Sequence, residues 1–205
     1  MTPGDDSEPN DGFEEAYAGA PPWETGQPQP EIVRLAEQGE IRGDVLDVGC
    51  GTGENALYLA DCDHKVVGLD ASPTAIDRAT EKGRKRGLDA TFRVCDALKL
   101  SECDRQFDTV IDSGLFHVFS DSERPIFVDG LQSRLHQEGR YHMLCFSDHE
   151  PGTWGPRRVS RDEIKATFTR GWTVDEIQPV RFELNTESGG VHAWRATIIL
   201  ANKEQ

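Results

Sequence analysis

The segment Leu46-Asp47-Val48-Gly49-Cys50-Gly51-Thr52-Gly53-Glu54 constrains this chain more than any other. An apolar strand pattern runs straight into three glycines at alternate positions and then into a helical pattern. Glycine admits backbone angles barred to other residues and lets the main chain approach a ligand closely, so the turn is read as a binding loop at the end of a strand. The spacing is G-x-G-x-G, with Glu54 where a dinucleotide fingerprint continues toward its third glycine. A carboxylate at that helix start opposes a pyrophosphate, which disfavours a nicotinamide cofactor and favours a nucleoside-like ligand that is positively charged near the turn.

The pattern around the turn is that of an α/β protein. Val45 to Val48, Lys65 to Leu69, Thr91 to Cys95, Thr109 to Ile111 and His142 to Phe146 read as strands. Glu54 to Cys62, Pro73 to Arg86 and Arg124 to His136 read as the helices between them, with a poorly patterned connection after Asp96. Such alternation predicts a parallel sheet covered on both faces. Ser160-Arg161-Asp162-Glu163 is a capping box for a helix over Asp162 to Phe168. Trp172 to Phe182 and Val191 to Leu200 then read as strands joined through Asn185 to Gly190, an antiparallel hairpin. At the other end, residues 1 to 12 read as a disordered acidic arm. Phe13 to Ala18 is a short amphipathic piece, 21 to 30 is proline-rich, and a helix runs from Pro30 to Gly39.

Length and composition narrow the class. The chain of 205 residues with 36% apolar content suffices for one domain, read as residues 13 to 205. A net charge of −15 repels phosphate backbones, which argues against nucleic acid as a partner. The acidic excess with few lysines also suits a salt-rich cytoplasm. Five cysteines without a C-x-x-C pair indicate a reducing compartment, with neither structural zinc nor a disulfide framework. The absence of a long apolar run, and the polar residues after Met1, argue against membrane insertion and secretion. The expectation is a cytoplasmic protein without a bound metal.

Two carboxylates complete the ligand site. Asp70 ends the second strand, where it can accept from a ribose diol; a strand-end aspartate can also cap the helix starting at Pro73, but Ser72 already serves as that cap. Asp96 ends the third strand, where it could accept from the exocyclic amine of adenine while the Ala97 amide donates to the ring.

The motifs LDVGCGTGENALYLA (Leu46 to Ala60), VVGLDASPTAI (Val66 to Ile76), RVCDA (Arg93 to Ala97) and FDTVIDSGLFHVF (Phe107 to Phe119) together resemble the Rossmann-like, class I S-adenosylmethionine-dependent methyltransferases. The resemblance implies a three-layer fold with a seven-stranded, mostly parallel sheet in order 3-2-1-4-5-7-6, its last strand antiparallel. PPWETGQPQP and GPRRVS look like the group that methylates small thiols, halides, thiopurines and heterocyclic toxins. It implies S-adenosyl-L-methionine as cofactor, S-adenosyl-L-homocysteine as product, and a small-molecule acceptor on a monomer or homodimer. The implied cofactor residues are Asp47, Gly49, Cys50, Gly51, Asp70, Ala71, Asp96, Ala97 and Ser113. Residues 13 to 40 would form a lid and helix, with Trp23, Gly26 and Gln29 at the site.

A sulfonium methyl is already an activated electrophile, so the chain's task is to hold the acceptor in line and exclude water. His117, just past the fourth strand, is the candidate general base or acceptor-orienting group, with a histidine satisfied by a neighbouring carbonyl as the alternative. Leu115, Phe116, Phe119, His149, Trp154 and Arg157 are candidate walls of the acceptor pocket. Two rival functions are a non-catalytic S-adenosylmethionine-binding protein and a nicotinamide-dependent oxidoreductase.

Overall fold

The computed structural model describes residues 11–186 and 189–202. The first ten residues of the expected arm lie outside that range, and its last two belong to helix α1 (Asp11–Tyr17). The remaining elements are α2 (Pro30–Glu37), β1 (Asp44–Val48), α3 (Glu54–Asp61), β2 (Lys65–Asp70), α4 (Pro73–Arg86), β3 (Ala90–Val94), β4 (Phe107–Ser113), α5 (Glu123–Arg134), β5 (Leu135–Phe146), α6 (Arg161–Thr167), β6 (Trp172–Phe182) and β7 (Val191–Leu200). Short 3₁₀ helices occupy Ala97–Glu102, the connection without a clear pattern, and Phe116–Val118.

The seven strands form one sheet in the order β3-β2-β1-β4-β5-β7-β6. Strands β1 to β5 pair in parallel, and β7 runs antiparallel to both β5 and β6. The central strand β1 is buried from Val45 to Val48, as expected of a parallel strand covered on both faces. The capping chemistry follows the sequence. The Ser72 hydroxyl accepts from the Ala75 amide with Pro73 in the first turn of α4, and Ser160 and Glu163 cap α6 reciprocally.

The fifth strand departs from expectation. It begins at Leu135 rather than His142, and α5 stops at Arg134, so His136 is a strand residue. The cause is a register shift against β4, where Leu135 pairs with Phe107 and Arg140 with Thr109, with Glu138 held at φ 63°. A bulge of this kind breaks the alternation that periodicity relies on.

Parallel strands carry their carboxyl ends to one edge of the sheet. There the loops after β1, β2, β3 and β4 meet, which is where open α/β sheets bind ligands.

Candidate active site

A cavity of about 890 Å³ opens at that edge. Gly49, Cys50 and Gly51 from the turn after β1, Asp70 and Ala71 from β2, Asp96 and Ala97 after β3, and Ser113 after β4 all line it. The turn is fastened from behind. The Cys50 amide donates to the Leu69 carbonyl at 2.9 Å, and the Gly51 amide donates to Asp70 Oδ2 at 2.8 Å. Asp70 Oδ1 accepts from the Ser72 amide at 2.9 Å. Each Asp70 oxygen keeps a lone pair for a ligand, and burial raises its pKa above the usual aspartate value. Asp96 Oδ1 accepts from the Leu98 amide at 2.9 Å and so caps the 3₁₀ helix beside it.

Gly51 shows why the turn requires glycine. Its φ is +54°, and a Cβ there would stand 2.8 Å from the Tyr17 hydroxyl. Gly53, at φ +84°, starts α3 where a Cβ would meet Ala79 and Phe92 at 2.9 Å. Glu54 lines the cavity as well, but Lys82 and Arg86 each hold it at 2.8 Å, so its charge is compensated.

The N-terminal segment closes over the turn. Glu14 accepts from the hydroxyls of Ser72 and Thr74, and Arg78 donates to the Tyr17 carbonyl at 2.7 Å, which docks α1 on the start of α4. Trp23 Nε1 donates to the Tyr17 hydroxyl at 3.0 Å, and Phe13 packs edge-on against Trp23. Thr52 donates its hydroxyl to Glu24 at 2.5 Å. Gln29 both donates to and accepts from the Glu183 backbone at 2.9 Å. Trp23 and Gln29 line the cavity as the sequence suggested, whereas Gly26 is exposed and not on the wall. Phe13, Tyr17 and Glu24 also line the cavity, a part of the wall that no spacing rule connects to the turn they cover, and Asn55 of α3 accepts from the Gln29 amide at 2.8 Å.

Asp47 does not reach the cavity wall. It lies fully buried beneath the turn with neither carboxylate oxygen hydrogen-bonded among the described residues. Burial, reinforced by Asp112 and Asp70, pushes its pKa up to about 8 from 3.8. Between those values the folded chain keeps a proton that the unfolded chain has released, so Asp47 makes stability fall as pH rises. Asp112, raised to about 6, acts in the same direction below that pH. Buried His117 and His142, lowered to about 3 and about 4, act oppositely, but only below 6.5. From pH 6.5 to about 7.5 Asp47 therefore governs, with a slope of up to about 1.4 kcal/mol per pH unit, before the thiols of Cys50, Cys95 and Cys145, which burial also raises, add to the fall. Urea midpoints should drop over that window in the wild type and stay level in Asp47→Asn; a parallel drop in both would show that another group is responsible.

Asp112, at the end of β4, went unremarked in the sequence. It is fully buried and accepts from the Leu115 amide at 2.7 Å, the Phe116 amide at 3.0 Å and the Tyr141 hydroxyl at 2.6 Å. An aspartate closing the apolar run of β4 was the available signal. It folds residues 113–119 into the floor of the cavity, where Ser113, Gly114, Leu115, His117, Val118 and Phe119 are all exposed to it.

The far end of the cavity is aromatic, walled by Phe146, Trp154 and Phe182 with Leu184. Of the expected walls, Leu115, Phe119 and Trp154 are present. Phe116 is fully buried beneath them, the His149 ring stacks against Trp194 at 4.7 Å, and Arg157 pairs with Asp121 and Glu163. His117 is on the wall but is held by the backbone. Its Nδ1 accepts from the Phe146 amide at 3.0 Å, and Gly114 engages the ring as well. Burial, then the charges of Arg158 and Arg124, lower its pKa to about 3. That geometry is closer to the alternative of a satisfied histidine than to a general base, with an amide donor as the main partner rather than a carbonyl alone.

A doubly wound sheet with a glycine turn and strand-end carboxylates on one long cavity defines the Rossmann-like methyltransferase class. Residues 45–139 match a family model described as a methyltransferase domain. A 2-heptyl-1-hydroxyquinolin-4(1H)-one methyltransferase of Mycobacteroides abscessus is 42% identical over 174 residues, covering 83% of this chain and 77% of that protein. A probable thiol methyltransferase of Arabidopsis thaliana is 34% identical over 157 residues, 75% of this chain and 70% of the relative. A structure solved in work on the conversion of a disulfide bond into a thioacetal group during echinomycin biosynthesis superposes with a TM-score of 0.89 at 35% identity, over 97% of this chain and 95% of the other. The chain belongs to the S-adenosylmethionine-dependent methyltransferases.

The residues present fit that cofactor. Asp70 and Asp96, both on the cavity wall, are acceptors of the kind a ribose diol and an adenine amine require. Gly49 and Gly51 bring the main chain of the turn onto the cavity wall. Among the described residues no helix is long and apolar enough to cross a membrane.

Proposed function

We propose that this enzyme methylates a flat, apolar small molecule through a sulfur, oxygen or nitrogen nucleophile seated in the aromatic end of the cavity. The observation that carries the reading is the continuity of that cavity: the glycine turn and the rings of Phe146, Trp154 and Phe182 share one floor, residues 113–119. Relatives named for a hydroxyquinolinone and for thiols support an aromatic N-hydroxy compound or a thiol as acceptor. When bound, S-adenosylmethionine supplies the activated methyl group. Asp70 and Asp96 would hold its nucleoside, the Gly49–Gly51 turn and the Ser113 backbone would hold its methionine part, and the aromatic wall orients the acceptor and keeps water out.

His117 positions the wall rather than removing a proton. A ring nitrogen that accepts from a main-chain amide, with a pKa of about 3, is a weak base at neutral pH. Single-turnover rates with labelled cofactor test both statements. Label should move into thiophenols and hydroxyquinolinones, and His117→Gln should slow acidic and weakly acidic acceptors by the same factor. Cofactor binding without transfer to any acceptor would identify a non-catalytic binding protein, and a selective loss on weakly acidic acceptors would restore His117 as the base.

Residues 13–29 act as the lid in this reading, held by the contacts of Glu14, Trp23, Glu24 and Gln29. Proteolysis between Phe13 and Gln29 should slow when S-adenosylhomocysteine is added; cleavage at one rate with and without it would remove the lid assignment. The five free thiols fit a reducing cytoplasm as the compartment.

A further inference from the structure

The aromatic end of the cavity has a charge behind it that the transfer step has not so far required. Arg158 is not on the wall, but its guanidinium lies 5.3 Å from the ring centre of Phe146 and 5.5 Å from that of Trp154, and both rings are. Three main-chain carbonyls hold it: Glu150 at 3.2 Å, Pro156 at 2.6 Å and Pro151 at 3.4 Å. No carboxylate among the described residues stands within 4.0 Å of it, whereas nearby Arg124 and Arg157 both pair with Glu163. The carboxylates of its own loop are engaged elsewhere, Asp148 with the Trp194 indole and Glu150 with the His192 amide. Arg158 is thus a cation without a direct ion pair among the described residues, in a chain of net charge −15.

Other charged groups face the cavity directly. Glu123 is on the wall as an ionised carboxylate, its Oε2 accepting from the Ser120 amide at 2.8 Å and hydroxyl at 2.7 Å. Glu24, Glu54, Asp70, Asp96 and Lys99 come from the lid, the glycine turn and the loops after β2 and β3, at the cofactor end. On the floor, burial lowers the His117 pKa, and the charges of Arg158 and Arg124 act in the same direction.

We propose that Arg158 is a specificity-determining residue, selecting acceptors that arrive as aromatic anions, thiolates or N-oxyanions, over neutral molecules of the same shape. The inference rests on methyl transfer to a small molecule and states which ionisation state of it is taken. A charge behind a low-dielectric wall acts more strongly than one in water, and aromatic rings pass its field without offering a competing donor. Such an acceptor needs no base: its bond to the methyl carbon forms as the methyl–sulfur bond breaks, the electron pair leaves on that sulfur, and no proton has to be placed. The methylated product is neutral and loses its attraction to Arg158.

The test uses unreactive ligands on the full chain loaded with S-adenosylhomocysteine. 2-Naphthalenesulfonate and 2-naphthyl methyl sulfone share a body and differ in charge; their affinities are measured calorimetrically. The wild type should prefer the sulfonate. Arg158→Gln should weaken the sulfonate about tenfold and leave the sulfone nearly unchanged, while Arg158→Lys should keep most of the preference. An unchanged ratio in Arg158→Gln overturns the proposal, as does equal loss of both ligands in Gln and Lys, which would mean that Arg158 only shapes its loop. Should Arg158→Gln not fold, a wild type that binds the sulfone at least as tightly as the sulfonate overturns it alone. Because neither ligand reacts, these results stand apart from methyl transfer, which fails separately if the wild type labels no acceptor.

Discussion

Asp112→Ala is expected to lower stability by about 3–5 kcal/mol, a large share of what a domain of this size possesses. The substitution strands three buried donors at once, the amides of Leu115 and Phe116 and the hydroxyl of Tyr141. A buried donor without a partner costs about 1–3 kcal/mol, and Asp112, Tyr141 and Phe116 are all fully buried. Asp112→Asn should fall short of rescue, because its amide presents hydrogens to groups that are themselves donors. Thermal unfolding should register a loss of about 10 °C for alanine. Residues 113–119 should loosen in both variants, weakening acceptor binding more than cofactor binding. A melting point within about 2 °C of wild type would mean that the amides find other partners and that Asp112 does not shape the floor.

The cofactor end was legible because its determinants are local. A strand, a glycine turn and a helix lie within Leu46 to Glu54, and each strand-end aspartate closes an apolar run, so Gly49, Gly51, Asp70 and Asp96 could be placed from spacing. The order of the seven strands followed once those motifs implied a family. What the sequence hid depends on chain segments far apart. Asp47 carries the motif yet points under the turn, a direction that spacing does not encode. Gln29 meets Glu183 across more than 150 positions, and Phe146 and Phe182 at the ends of β5 and β6 converge with Trp154 of the loop after β5. His117 has the right position for a base, but the Phe146 amide that occupies its Nδ1 comes from the end of a strand whose bulged start broke the pattern. The acceptor pocket is tertiary in origin, which is why only half of its expected walls stand on it.

Asp70→Ala is expected to weaken the cofactor about a hundredfold. Two effects combine in it. The carboxylate loses its hydrogen bonds to a ribose diol, each charge-assisted and worth about 1.5–3 kcal/mol. It also releases the amides of Gly51 and Ser72, so the turn loses the staple that holds it against β2. Gly51 at φ +54° depends on that staple to stay under Tyr17, and the lid should close less well over a loosened turn. The weakening should appear as faster dissociation, because the cavity mouth is unchanged while its grip is lost.

The most direct test of the whole account is a calorimetric titration of the wild type and of folded Asp70→Ala with S-adenosylhomocysteine. The account predicts saturable binding of one ligand per chain to the wild type and about a hundredfold weaker binding to the variant. A wild type that takes up no ligand, or a variant that binds as tightly as the wild type, would contradict the assignment of the glycine turn and Asp70 as the cofactor site.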